Sequence, residues 1–289
     1  GDAMAGQILD GRIAIVTGSG RGLGRAMALG LAASGARVVV TDVDGDVVAE
    51  SVEIIRARHG RDAATGITQD LTAEGAPESL VARTITELGG LHIVVNNAGI
   101  GPQAVGPDFI SKPPKLWELP QSLWRQTFAV NAHLPFFMAC AVVPRFLKQG
   151  WGRVINVTTS LDTMIRVGCG AYGSAKAANE AHTSILAQDV QGTGVTVNVL
   201  VPGGPANTRM IPAAAPIKRE DLIQPDVMVA PLVWLASEAA SNVNGRRFIA
   251  AHWNTKVPPR EAAEASGAPI AWPQLAGSIW PGGKRDPNG

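Results

Sequence analysis

Short apolar runs alternate with amphipathic stretches through most of the chain. The runs are rich in Val and Ile and apolar on both faces, which is typical of strands inside a parallel sheet covered on each side. The pattern predicts strands at Arg12–Thr17, Arg37–Thr41, Ala64–Thr68, His92–Asn96, Arg153–Thr158, Val195–Val201 and Arg247–Ala251. Helical periodicity lies between them, at about Gly22–Ser34, Asp46–Arg58, Ala76–Leu88, Leu123–Leu147 and Ala171–Gln191.

The repeated order of strand, helix and strand predicts an α/β protein with a single doubly wound domain. Parallel neighbours need crossover helices, so we expect a parallel sheet of about seven strands flanked by helices. The predicted domain covers residues 7–257, and residues 258–289 form an extension that packs on the body or on a neighbouring subunit. The Pro- and Gly-rich segment Ile100–Pro120 is longer than a simple connection, which indicates a functional loop.

Composition excludes several classes of protein. Of 289 residues, 46% are hydrophobic and 17% are charged, which provides enough apolar area for a core. The 25 Lys and Arg residues nearly balance the 24 Asp and Glu residues, so no basic nucleic-acid surface is indicated. The two cysteines cannot make a disulfide framework, and no apolar run reaches the roughly 18 residues of a spanning helix. We expect a reduced cytoplasmic protein with no metal, nucleic-acid or membrane partner.

A glycine-rich turn follows the first predicted strand, with the sequence TGSGRGLG at residues 17–24. Glycine lets a backbone approach a ligand closely, and the free N–H groups at the start of the next helix attract a pyrophosphate. The spacing is T-G-x-x-x-G-x-G, which differs from the common G-x-G-x-x-G fingerprint. The turn therefore predicts dinucleotide binding, and the alternative is a tight connection without a ligand.

An acid, Asp42, ends the second predicted strand 24 residues after Gly18. A carboxylate at that place accepts hydrogen bonds from both ribose hydroxyls of an adenosine and repels a 2′-phosphate. Arg21, inside the glycine turn, acts in the opposite direction because it can pair with a phosphate or lie over the adenine. NAD is therefore the predicted cofactor, with NADP as the alternative. Asp42 could instead be a solvated residue in a turn without contact to a ligand.

Two further segments follow strands and contain polar or small residues. Asp70 lies after the third strand, where it can bond the adenine amine or cap a turn. The segment Asn96–Gly99 follows the fourth strand, and its small residues let a cofactor lie against the backbone. Asn97 can instead bridge strands as structural support.

Tyr172 and Lys176 are four residues apart in a predicted helix, and Tyr172 is the only tyrosine in the chain. This spacing places both side chains on one helix face. A tyrosine has a reference pKa of about 10, and a nearby ammonium group favours its phenolate. The pair therefore predicts proton transfer, although an ordinary surface pair has the same spacing.

In combination and order, these motifs resemble the classical short-chain dehydrogenase/reductase family over roughly Gly11 to Ala251. The resemblance implies a Rossmann-type fold in which Tyr172 is the general acid/base and Lys176 lowers its pKa. It also implies that Asn131 anchors a proton-relay water. Thr159 is at the family's serine position, thirteen residues before Tyr172, with the neighbouring Ser160 as the alternative.

The resemblance also implies a set of ligand contacts. The residues implied to bind the cofactor are Gly18, Arg21, Gly22, Leu23, Gly24, Asp42, Val43, Asp70, Leu71, Asn97, Ala98, Gly99, Val130, Tyr172, Lys176, Pro202, Gly203 and Thr208. Thr208, or alternatively Asn207, is the candidate for binding the carboxamide of the nicotinamide. Thr159, Ser160, Tyr172 and Arg166 are the candidates for binding substrate, which we expect to be a sugar, polyol or hydroxy acid.

The predicted activity is the interconversion of a secondary alcohol and a ketone by hydride transfer. One alternative is a nucleotide-sugar epimerase or dehydratase, which shares Tyr-x-x-x-Lys but normally has T-G-x-x-G-x-x-G spacing. Another is a non-catalytic dinucleotide-binding module on the same fold. The resemblance also implies a homotetramer or homodimer built on the helices near Leu123–Leu147 and Ala171–Gln191.

Overall fold

The structure is a computed structural model that describes residues 7–275 and residue 282. Strands in the described residues are β1 (Ile13–Thr17), β2 (Arg37–Asp42), β3 (Ala64–Thr68), β4 (Ile93–Asn96), β5 (Gly152–Val157), β6 (Val195–Val201), β7 (Arg246–Ile249) and β8 (Gly267–Pro269). They form one sheet in the order β3-β2-β1-β4-β5-β6-β7-β8. Neighbours are parallel up to β7, and β8 pairs with β7 antiparallel.

Helices cover both faces of this sheet. They are α1 (Gly22–Ala33), α2 (Gly45–His59), α3 (Ala76–Leu88), α4 (Gln121–Phe128), α5 (Leu134–Gln149), α6 (Leu161–Met164), α7 (Gly170–Asp189), α8 (Val229–Ala236) and α9 (Pro259–Ser266). One core cluster joins the sheet to α1, α2, α8 and α9, and a second joins it to α3, α5 and α7. All residues of β1, β5 and β6 are buried, because both faces of these central strands are covered. The prediction of a doubly wound α/β domain is confirmed.

Three details differ from the pattern-based expectation. The described sheet has eight strands rather than about seven, because β8 adds a strand from beyond residue 257. The last parallel strand ends at Ile249 rather than Ala251, and a single 3-10 turn, Ala250–His252, follows it. The long helix expected at Leu123–Leu147 is divided into α4 and α5 by a π-helical turn at Ala129–His133.

The physical cause of that division is a polar side chain in the helix. Asn131 Nδ2 donates to the carbonyl oxygen of Thr127 at 3.0 Å, so the side chain competes with the backbone ladder one turn earlier. The whole helical run Gln121–Gln149 is long and apolar enough to cross a membrane by length and composition. Half of the most apolar 18-residue stretch of this run is buried inside the fold, which is typical of a core helix.

Part of the C-terminal extension is described. Ala262 and Ala263 of α9 are buried in the first core cluster, and Ile270 is buried in the second. The extension therefore contributes apolar contacts on both faces of the sheet. The remaining extension residues, 276–281 and 283–289 with Trp280 among them, lie outside the described residues.

The sheet order reverses between β1 and β4, since β2 and β3 lie on one side of β1 and the later strands lie on the other. Ligands of doubly wound sheets bind beyond the carboxyl ends of the strands at such a switch point. The glycine turn, Asp42, Asn97, Thr159 and Pro202 all follow carboxyl ends of these strands, so the topology brings the predicted motifs to one edge.

Candidate active site

The glycine turn between β1 and α1 is held against the end of β4. Thr17 Oγ1 accepts hydrogen bonds from the backbone N–H groups of Asn97 and Ala98, both at 3.0 Å. Asn97 Nδ2 donates to the carbonyl oxygens of Thr17 at 3.2 Å and Gly18 at 3.1 Å. Asn97 therefore bridges the ends of β1 and β4, which is the supporting role that the sequence allows for it. Gly18 has a φ of +62°, and a Cβ there would lie 2.8 Å from Ala98 Cα, so the close approach requires glycine.

The start of α1 provides a cradle for an anion. Gly22 has a φ of +59°, and Arg21 at the N-cap makes no side-chain hydrogen bond to the helix. The first N–H groups of α1 consequently have no capping side chain, and the helix dipole adds positive potential there. The turn thus fits the pyrophosphate of a dinucleotide by its own geometry.

Charged groups surround the predicted adenosine end of this cradle. Asp42 Oδ2 accepts from Gly20 N at 3.2 Å and its Oδ1 accepts from Val43 N at 2.8 Å, which aims the carboxylate at the glycine turn. Arg21 Nη2 pairs with Asp44 Oδ2 at 2.6 Å. Asp44 also caps α2 by accepting from Asp46 N, so Arg21 is drawn toward an acid that is already oriented.

The other residues expected near the adenosine have mixed surroundings. Asp70 Oδ1 accepts from the backbone N–H and the hydroxyl of Thr72, and these bonds lower the pKa of Asp70. Asp70 therefore caps a turn, which is one of the two roles that the sequence allows for it. Leu71 is buried, Leu23 is half-buried, and Val43 is exposed.

Tyr172 and Lys176 lie one turn apart on α7, as the spacing predicted. Lys176 is only 4% exposed, and its Nζ donates to Val157 O at 2.9 Å and lies 5.9 Å from the Tyr172 ring centroid. Burial lowers the pKa of Lys176 to about 8, although the Glu180 carboxylate acts in the opposite direction. Burial raises the pKa of Tyr172 to about 12, and a hydrogen bond with the Thr159 side chain counteracts this rise.

Thr159 and Ser160, the two candidates for the family's serine position, have different surroundings. Thr159 follows β5 and interacts with the phenol, whereas Ser160 lies at the start of α6, where its side chain makes no capping bond. Arg166, the third substrate candidate, forms an ion pair with Asp162, and 54% of its side chain is exposed. The structure therefore brings Thr159 to Tyr172 and leaves Arg166 paired at the surface.

Asn131 presents an unused acceptor beside the lysine. Its Nδ2 donates to Ile100 O at 2.9 Å and to Thr127 O, whereas its buried Oδ1 has no hydrogen-bond partner among the described residues. A Cβ placed on Gly99 would lie 2.8 Å from Asn131 Oδ1 and 3.7 Å from Lys176 Nζ, so both atoms border the same point. A buried acceptor of this kind fits a water or a ligand hydroxyl.

The segment after β6 returns to the glycine turn. Gly203 has a φ of +107°, and a Cβ there would lie 2.7 Å from Ile249 Cγ2, so the chain passes tightly over β7. Thr208 Cγ2 is the nearest atom to a Cβ built on Gly22, at 3.5 Å. Asn207, by contrast, bonds to Gln224 and Arg219. Of Thr208 and Asn207, Thr208 is thus the residue whose side chain lies near the glycine turn. Pro202 and Val130 are half-buried.

A buried ion pair under the site was missed by the sequence reasoning. Glu180 is fully buried, and its Oε1 accepts from Arg247 Nε at 2.8 Å and from Ala271 N at 3.1 Å. Its Oε2 accepts from Thr158 Oγ1 at 2.7 Å, and Arg247 Nη2 donates to Thr159 O at 3.0 Å. The signal available in the sequence was an acid one helical turn after Lys176 and an arginine inside an apolar strand.

Comparison with known proteins gives a consistent result. The chain matches the short chain dehydrogenase family over residues 12–216. It is 36% identical over 256 residues to a short-chain type dehydrogenase/reductase of Picea abies, covering 82% of this chain and 90% of the relative. It is 37% identical over 196 residues to 1-deoxy-11-beta-hydroxypentalenate dehydrogenase of Streptomyces exfoliatus, covering 68% of each.

A solved structure has the same fold. It is described as a putative NAD(P)-dependent gluconate 5-dehydrogenase of Beutenbergia cavernae with bound NADP, and it superimposes with a TM-score of 0.73 at 29% identity. The match covers 85% of this chain and 97% of that one.

Proposed function

Because the chain belongs to the short chain dehydrogenase family of nicotinamide-dependent oxidoreductases, we propose that it interconverts a secondary alcohol and a ketone with Tyr172 as the general acid/base. The observation that carries this proposal is the arrangement of Tyr172, Lys176 and Thr159 at the carboxyl edge of the sheet, next to the glycine cradle. When bound, the cofactor accepts or donates the hydride at the substrate carbon. Tyr172 exchanges the proton of the substrate oxygen, and Thr159 donates a hydrogen bond to that oxygen.

The pKa values of Lys176 and Tyr172 support these proposed roles. Lys176, with a pKa of about 8, carries a positive charge at neutral pH and so favours the phenolate of Tyr172. The pKa of Tyr172 is about 12 in the protein alone, which is too high for a base near neutrality. The positive charge of an oxidised nicotinamide, if bound in this site, would act in the same direction as Lys176. Asn131 Oδ1, next to Lys176, is placed to hold a water that returns the proton to solvent.

We propose NAD rather than NADP as the cofactor. Asp42 is aimed at the glycine turn, where a 2′-phosphate would meet its negative charge. Arg21 is the cation that could offset this repulsion, but it is paired with Asp44. The Beutenbergia cavernae structure contains bound NADP, so the fold alone does not determine which cofactor binds. The proposed preference for NAD therefore depends on Arg21, Asp42 and Asp44.

The exposed apolar residues Phe136, Phe137 and Leu147 of α5 and Ile185 of α7 support a homodimer or homotetramer assembled on these helices. Cys140 and Cys169 are free, which supports the proposal of a reducing, cytoplasmic location. The relatives' names include both a hydroxypentalenate and a gluconate dehydrogenase, so the substrate class must be argued from this chain's own residues.

A Tyr172→Phe variant tests the proposed chemistry. It should still bind NAD in calorimetry, and kcat should fall by about 10²- to 10⁴-fold because the proton acceptor is lost. The assay is NADH formation from a panel of secondary alcohols, with Ile8→Ser as a control because Ile8 is an exposed residue outside the site. Full turnover by Tyr172→Phe would overturn the assignment. Product inversion without net NADH would instead support an epimerase, and NAD binding without turnover by the unaltered protein would support a binding module.

A further inference from the structure

We infer that the substrate is apolar around its reacting carbon, with a hydrocarbon ring system or chain, rather than a sugar, polyol or small hydroxy acid. The inference rests on the proposed function, since it concerns the part of the substrate that lies in front of Tyr172. It differs from the sugar, polyol or hydroxy acid that the sequence analysis expects.

Residues of the stretches 101–105 and 168–171 line the space beside Tyr172. Contacts of their glycines connect three segments there, residues 101–119, residues 164–170 and residues 205–224. A Cβ on Gly170 would lie 2.6 Å from Leu119 Cδ1 and 3.0 Å from Leu116 Cδ1, so the first two segments are in tight contact. A Cβ on Gly101 would lie 2.8 Å from Met210 Cγ, which joins the first segment to the third. We call these three segments the rim.

The space enclosed directly beside Tyr172 is small and mostly apolar. Its lining includes Val105, Leu123, Cys169 and Ala171, and the volume is about 10 Å³. A cavity of that size holds a single water molecule, so the larger part of any substrate must contact the rim. The chemistry of the rim therefore determines which substrates are recognised.

Large apolar side chains are exposed on this rim. Ile165 is 88% exposed, Trp117 82%, Val167 77% and Leu116 59%. Ile165 and Val167 flank Arg166, and Leu116 and Trp117 lie in the segment packed against Gly170. Soluble proteins rarely expose several large apolar residues together unless the patch binds something. The contact of Leu116 with Gly170, two residues before Tyr172, assigns this patch to the substrate.

Two arginines of the rim are engaged by other groups of the protein. Arg166 pairs with Asp162, and Arg219 donates to the carbonyl oxygens of Thr208 at 2.9 Å and Ile211 at 2.6 Å. Arg219 thus holds the third segment in place, and its guanidinium is occupied by the protein. Arg209, like Arg219, is exposed, and its substitution is included in the test because it is the alternative partner for a carboxylate substrate.

The experiment compares kcat/KM for graded alcohols with the unaltered protein and NAD. The apolar series is cyclohexanol, 2-decalol and androsterone, and the polar series is sorbitol, gluconate and 3-hydroxybutyrate. We expect kcat/KM to rise along the apolar series by about fourfold for each methylene buried on the rim. A Trp117→Ser/Ile165→Ser variant should lose at least about tenfold in kcat/KM for the largest alcohol, mainly through KM.

Two controls separate this inference from the proposed function. Ile8→Ser removes an exposed apolar side chain outside the rim and should change nothing. Androsterone binding to the Tyr172→Phe protein with NAD, measured by equilibrium dialysis, reports on the rim without turnover. If the unaltered protein turns over no alcohol but androsterone binding still depends on the rim, the proposed chemistry is contradicted and the apolar substrate is supported. A highest kcat/KM for a polar compound, particularly a hydroxy acid whose use is lost in Arg209→Gln, would overturn the inference.

Discussion

The ion pair between Glu180 and Arg247 allows a quantitative prediction about stability. Glu180 is fully buried, and the Arg247 side chain is 6% exposed. Replacing Glu180 by Ala leaves the guanidinium without its partner and removes the acceptor of Thr158 Oγ1 and Ala271 N. Breaking one side of a buried pair costs about 3–5 kcal/mol, because an uncompensated charge remains inside the protein.

The expected consequence is large relative to the total stability of a domain. A loss of about 4 kcal/mol lowers the Tm by roughly 8–16 °C for a domain of this size class. Urea unfolding at fixed pH, followed by circular dichroism and by tryptophan fluorescence, measures the change in the free energy of unfolding. Coincident transitions with both probes are needed to treat the unfolding as two-state.

The matched control removes both charges together. A Glu180→Leu/Arg247→Met variant replaces the pair by apolar side chains, and such replacements are often neutral or stabilising. It should therefore be more stable than Glu180→Ala. A loss below about 1 kcal/mol for Glu180→Ala, or a double variant less stable than the single one, would refute the reasoning about the buried charge.

Three further predictions concern the site. The absorbance of the single tyrosine should titrate near pH 12 in the protein alone and at lower pH with NAD⁺, because positive charge favours the phenolate; an unchanged midpoint would contradict the proposed role of Tyr172. Asp44→Asn should raise the affinity for 2′-phosphorylated ADP relative to ADP by about 5- to 30-fold in calorimetry, since it releases Arg21, and Arg21→Gln in that background should abolish the gain. Thr159→Val should lower kcat by about 10²-fold or more, whereas Ser160→Ala and Thr159→Ser should retain most activity; the reverse order would assign the role to Ser160.

The α/β architecture and the order of the motifs could be predicted from the sequence. Central strands such as Val195–Val201 are apolar on both faces because helices cover the sheet on each side, and this pattern is local in the chain. The spacing of Tyr172 and Lys176 was equally local, since one helical turn places them together whatever the rest of the fold does. The glycine turn after β1 was recognisable because only glycine tolerates its backbone conformation and close contacts.

The contacts between distant segments could not be predicted from the sequence, because they depend on how the elements pack. The pairing of Glu180 with Arg247, the antiparallel β8 beside β7, and the interaction of Thr159 with Tyr172 each join residues whose separation carries no periodic signal. The rim follows the same rule, because exposed apolar residues acquire a meaning only when folding places them around one tyrosine. Local propensity and periodicity report which faces are buried, whereas long-range packing determines which buried or exposed groups meet.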